Sequence, residues 1–126
     1  MLREYEQVRQ LEKEGPRRWF GDADLDLIVW YDESSPEHIV GFQLRYDKGT
    51  DEHAVTWRRS GLVVHHRVDT GEGNPKANRS PILVADGPLP LARLMRRFGE
   101  ASEGMDEAVR AFVLARLAEL DPTGLR

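Results

Sequence analysis

Cysteine is absent from this sequence, which excludes disulfides, thiolate metal sites and cysteine nucleophiles. Long apolar runs are absent too. The longest unbroken stretches are a few residues, far short of the roughly 20 needed to span a bilayer. The first fifteen residues, MLREYEQVRQLEKEG, are charged throughout and lack the apolar centre of a signal peptide. The expectation is a cytoplasmic protein without a membrane partner. Nor is there an excess of positive charge. Eighteen basic residues stand against 22 acidic ones, a formal net charge of −4, which argues against non-specific nucleic-acid binding. The sequence has no G-x-x-x-x-G-K-[ST], no G-x-G-x-x-G opening a helix and no G-x-S-x-G elbow. Phosphate-loop nucleotide binding and the common serine-hydrolase turn are therefore unsupported.

What is present suits one domain over residues 1–126. Hydrophobic residues make up 40% of the chain and charged residues 32%, a globular balance. Leu2, Tyr5, Val8 and Leu11 recur every three residues before Gly15-Pro16, which predicts a surface helix over 2–14 within an N-terminal segment 1–16. Residues 17–87 read as a sheet. "LDLIVWY" (25–31) is rich in β-branched and aromatic residues. "IVGFQLRY" (39–46) alternates, with Val40, Phe42, Leu44 and Tyr46 opposite Gly41, Gln43 and Arg45. "HAVTWRR" (53–59) and "LVVHHRV" (62–68) flank Ser60-Gly61, a two-residue hairpin signal. "DTGEGNPKANRSP" (69–81) is a long polar loop, its residues 71–79 expected to be the most mobile internal segment. "ILVADG" (82–87) could add a fifth strand.

Two helices complete the pattern over 88–121. The first, 90–98, carries Leu91, Leu94, Met95 and Phe98 on one face and ends at Gly99. The second runs from Glu103, capped by Ser102, to Leu120. The expected fold is α+β. It is an antiparallel meander of four to five strands, with an N-terminal helix and two C-terminal helices on its apolar face. Leu94, Phe98, Phe112 and Leu117 should pack on Phe42, Leu44, Trp57 and Val64.

The adjacent pair His65-His66 invites a metal or catalytic reading, in a chain with only four histidines. If Ser60-Gly61 is the turn, Arg59 opposes Leu62, Trp57 opposes Val64 and Val55 opposes His66. Neighbouring strand residues point to opposite faces, so the two imidazoles cannot readily share a metal. On this register His66 lies on the core face and His65 on the polar one. There His65 would join Gln43, Arg45, Thr56, Arg58 and Arg67, a set whose arginine forks suit a carboxylate or phosphate. Asp22, Asp24, Asp26 and Glu33 have calcium-loop spacing, but Leu27 stands where the loop needs a glycine. The expectation is no metal and no cofactor.

Both faces of 25–31 are apolar: Leu25, Leu27, Val29 and Tyr31 on one, Ile28 and Trp30 with Asp26 on the other. Such a strand needs cover on both sides. Two helices cover only one, so the other cover is the N-terminal helix or a second subunit, which favours a homodimer.

As a set, "DLDLIVWYD", "GFQLRYD", "AVTWR", "HRVDTGEG" and "SPILVADG" resemble a group of small bacterial proteins to which no activity is assigned, over about residues 17 to 120. The resemblance implies a bacterial cytoplasmic origin and a single-domain fold, and carries no site residues. The function expected is a non-catalytic binding or self-associating module. The rival is an anionic-ligand binder or hydrolytic enzyme, with His65 as acid or base, Arg45, Arg58 and Arg67 as anion clamps, and the 69–81 loop as a lid.

Overall fold

The computed structural model describes residues 1–6, 16–68 and 89–120. They form an α+β fold. Six strands run β1 (Arg3–Glu4), β2 (Arg17–Gly21), β3 (Asp26–Tyr31), β4 (Ile39–Tyr46), β5 (His53–Arg58) and β6 (Val63–Arg67), followed by helices α1 (Leu91–Ala101) and α2 (Glu107–Ala118). The sheet order is β1-β2-β3-β4-β5-β6, every pair antiparallel. Among the described residues no helix is long and apolar enough to cross a membrane.

The meander follows the expected pattern, with six strands where four to five were expected. β2 was hidden by its arginines. In "RRWFG" the alternation is Arg17 and Trp19 against Arg18 and Phe20, and each arginine lies over a ring: Arg17 over Trp19 and Arg18 over Phe20. Cation–π stacking lets charged residues occupy a strand that also buries aromatic surface. β1 replaces the start of the predicted N-terminal helix. Leu2 is buried, its N–H donates to Ala101 O at 2.7 Å, and Arg3 and Glu4 pair with Gly21 and Phe20. Edge pairing with β2 overrides the weak three-residue periodicity. The rest of that helix and the 82–87 strand fall in 7–15 and 69–88, outside the described residues, as does the 71–79 segment.

The turns explain the local chemistry. Asp22 closes the β2–β3 turn, its Oδ1 accepting from the N–H groups of Asp24 and Leu25 at 2.8 Å. Gly61 sits at φ +100°, its N–H donates to Arg58 O, and Arg58 N–H donates to Leu62 O. The β5–β6 loop is therefore three residues, Arg59-Ser60-Gly61, with glycine in the left-handed position such loops require.

That extra residue shifts the register. Trp57 opposes Val63, Thr56 opposes Val64, Val55 opposes His65 and Ala54 opposes His66. A one-residue slip sends every side chain of the strand to the other face. His65 joins the core face and His66 the opposite one, the reverse of the two-residue reading.

The core lies between the sheet and the helices. Leu27, Val29, Phe42, Leu44 and Val55 meet Leu94, Phe98, Val109, Val113 and Leu117, all essentially fully buried. Phe112 and Trp57 meet edge-on, with ring centroids 5.3 Å apart, but are only partly buried. Val64, expected in this core, faces the other way. α1 runs through Gly99 to Ala101, and Ser102 is its C-cap. α2 is capped instead by Asp106, whose Oδ1 accepts from Val109 N–H at 3.1 Å.

Candidate functional site

The sheet's second face has three rows, read from the register. The first holds Gly21, Asp26, Arg45, Ala54 and His66; the second Trp19, Ile28, Gln43, Thr56 and Val64; the third Arg17, Trp30, Gly41 and Arg58. Four of the residues singled out from sequence, Gln43, Arg45, Thr56 and Arg58, do share this face. His65 and Arg67 do not. They point to the helix side, in register with Val55 and His53, so the predicted six-residue cluster is split by the sheet. His66 takes the place expected of His65. The signal that could have found it is the glycine at 61, which permits a three-residue loop as readily as a two-residue one.

This face is deeply placed within a single chain. Asp26, Ile28 and Trp30 retain only 9%, 3% and 7% exposure, and His66 only 3%. Strand β3 is thus buried on both sides, as its composition predicts, and a second subunit is not required for that burial.

The polar groups form a chain. Arg45 Nε donates to Gln43 Oε1 at 2.8 Å, and Gln43 Nε2 donates to Thr56 Oγ1 at 3.0 Å. Anchoring the arginine through Nε leaves its two terminal nitrogens as a fork. Arg45 lies 6.0 Å from the centroid of Trp19, and Arg58 lies 4.2 Å from that of Trp30. Gly41 makes the second stack possible: a Cβ there would stand 3.0 Å from Arg58 Cδ and from Trp57 O. Asp26 shares the first row with Arg45 but is engaged elsewhere, accepting from Lys48 Nζ at 3.1 Å and from the Tyr5 hydroxyl at 3.5 Å. Among the described residues neither Arg45 nor Arg58 has a carboxylate partner. The buried N–H groups of Trp19 and Trp30 and the Nδ1 atom of His66 also lack a hydrogen-bond partner there. Buried polar atoms in native structures are nearly always satisfied, and each exception needs a cause.

Burial holds the His66 pKa below its ordinary 6.5, and the nearby charge of Arg45, then His65 and His53, pushes the same way. A depressed histidine pKa makes folding pH-dependent in a fixed direction. As pH falls below 6.5, the unfolded chain takes up a proton that folded His66 resists, so stability drops; above that value His66 contributes no dependence. His66→Gln should therefore flatten the fall in denaturant midpoint between about pH 7.5 and about pH 5. An unchanged slope would place the titrating group elsewhere.

On the helix side His65 is buried against Tyr46, the hydroxyl and Nε2 hydrogen-bonded, and His53 stacks on both rings. His53 Nδ1 donates to Asp51 O at 2.8 Å. Arg93 lies over Tyr46 and grips Asp47 through both terminal nitrogens, holding that carboxyl below its usual range. Among the described residues no group of three or more histidine, aspartate or glutamate side chains is placed to hold a metal ion.

Comparison with known proteins gives no match: no family model fits the chain, and no curated protein or solved structure is significantly similar to it.

Proposed function

We propose that this protein is a non-catalytic binding module for a small anion, a carboxylate or phosphate, held on the second sheet face by Arg45 and Arg58 with Gln43, Thr56 and His66 in support. One observation carries the reading. Among the described residues, three buried polar atoms on this face lack a hydrogen-bond partner, the indole N–H groups of Trp19 and Trp30 and the Nδ1 atom of His66, and they share the face with two arginines, Arg45 anchored through Nε and Arg58 stacked on Trp30. An acceptor-rich ligand would complete them, and a planar oxyanion matches the guanidinium fork. The hydrolytic alternative needs His65 beside the same arginines, and the sheet stands between them. Self-association remains a separate proposal without a surface that demands it, because the second face of β3 is buried in one chain.

The test is calorimetric titration with sulfate, phosphate, oxalate and malonate, backed by thermal shift. Saturable binding is expected. Arg45→Met and Arg58→Met should each weaken it at least about tenfold, the scale of one lost charge-assisted contact. Arg96→Met, on the exposed side of α1, should leave it unchanged. The reading fails if the wild type binds none of the four anions, or if both face variants bind as well as the wild type.

A further inference from the structure

We infer that the cleft where α2 begins binds a small organic cation that also carries a neutral oxygen, such as an amino alcohol. The cleft lies on the helix side of the sheet, away from the face that bears Arg45 and Arg58, so the inference goes beyond the anion-binding reading above. Its volume is about 370 Å³, within the roughly 300–1,000 Å³ of small-molecule sites. Pro16, Ile39 and Val109 supply apolar walls, and Tyr31, Glu37 and Asp106 supply polar groups. The sheet shapes it. Between Trp30 and Tyr31 the pairing with β4 slips, so that Tyr31 opposes Ile39 and Val40 is passed over. Strict alternation with Phe42 and Leu44 would send Ile39 to the second face. The bulge turns it to the helix side instead, where it packs on the core and lines the cleft.

Two groups in the cleft are left open. Tyr31 is only 9% exposed. Its hydroxyl accepts from Arg18 Nη1 at 3.4 Å, but its own proton meets no acceptor among the described residues. A buried hydroxyl donor of this kind is completed by an acceptor on a ligand. Glu37 stands at the rim, exposed, with no ion pair or hydrogen bond to any described residue.

The charge around the cleft favours a cation over an anion. Arg18 is committed: Nε and Nη2 donate to Glu4, and Nη1 donates to Asp106 and Tyr31. Two carboxylates thus share one guanidinium, and Glu37 adds a third without a counter-ion. Arg17 also borders the cleft, but its guanidinium lies over Trp19 on the second face. The positive end of α2, which would otherwise draw an anion, is occupied by Asp106 Oδ1. Hydrogen bonds from Val109 and Arg18 hold the Asp106 carboxyl below its usual range, so it stays charged. An ammonium beside Glu37 and Asp106 offsets this excess, while the ligand's oxygen accepts the Tyr31 proton and its hydrocarbon covers Ile39 and Val109.

The experiment is isothermal titration of the intact protein with leucinol, whose ammonium, hydroxyl and isobutyl groups match these three features. Isoamylamine lacks the hydroxyl, isohexanol lacks the charge, and isocaproate bears the opposite charge. Leucinol should bind saturably and most tightly of the four. Tyr31→Phe should weaken leucinol by about threefold to tenfold, the scale of one neutral hydrogen bond, and leave isoamylamine unchanged. Glu37→Gln should weaken both amines by about twofold to fivefold, the scale of an exposed ion pair. Glu37 is on the surface and phenylalanine keeps the Tyr31 ring, so both variants should fold. Arg96→Met, exposed on α1, should bind leucinol as the wild type does. Absence of leucinol binding overturns the inference and leaves the anion-binding reading untouched. Isocaproate or isohexanol binding as tightly as leucinol overturns it too, as does either cleft variant binding leucinol like the wild type.

Discussion

Phe98→Ala is expected to lower the stability of this protein by about 3–5 kcal/mol, the range for a large aromatic removed from a closed core. Phe98 is 0% exposed and packs between α1 and the sheet among Leu94, Phe42 and Leu44. It stands at the centre of the helix face that reads Leu91, Leu94, Met95, Phe98. Phe112, the residue that helix periodicity in α2 favours equally, should cost less, about 1–2 kcal/mol, because it is only partly buried and loses mainly its edge contact with Trp57. A domain of this kind has about 5–15 kcal/mol in hand, so Phe98→Ala consumes much of it. Chemical denaturation of the two variants decides the matter. Equal losses would mean that the helices sit on the sheet differently from the arrangement described.

Trp30→Ala should be the second large loss, again about 3–5 kcal/mol. Its consequence separates two views of the sheet's second face. Trp30 is 7% exposed within one chain and lies beneath the Arg58 guanidinium. Truncation removes a large buried ring and strands a half-buried cation, so a monomer should lose stability independently of protein concentration. If a second subunit supplied the cover, Trp30 would be exposed in the monomer. The loss would then appear as weaker association, with a concentration-dependent midpoint. Melting the variant and the wild type across a hundredfold dilution distinguishes the two. A loss under about 1 kcal/mol would mean that the face is open.

Much of this was legible in the chain. Alternation in 39–46 gave β4 and its faces, because a half-buried strand writes its period directly into the residues. The continuous apolar run in 25–31 announced a strand covered twice, and β3 is buried throughout. The grouping of Gln43, Arg45, Thr56 and Arg58 was legible because β4 and β5 pair without irregularity over those positions. Where reading failed, the competing interaction was non-local or turned on one backbone angle. Arg17 and Arg18 concealed β2, since a charged residue looks solvated unless the ring beneath it is known. Leu2 and Tyr5 suggested a helix, and pairing with Phe20 and Gly21 drew that end of the chain into the sheet instead.

The histidines mark the division most clearly. The sequence by itself determined that His65 and His66 point to opposite faces, because the strand's two-residue period admits nothing else. It determined the meander, the apolar faces of both helices and the exclusion of thiol chemistry. Only the tertiary structure decided which histidine faces which way. Gly61 at φ +100° closes a three-residue loop rather than a two-residue one. That single torsion moves the pairing of β6 by one residue, taking His65 to Tyr46 and the helices and His66 to the arginines. Loop closure depends on how well the whole strand buries its two faces, and that sum over β5, β6 and the helices is not contained in the dipeptide Ser60-Gly61.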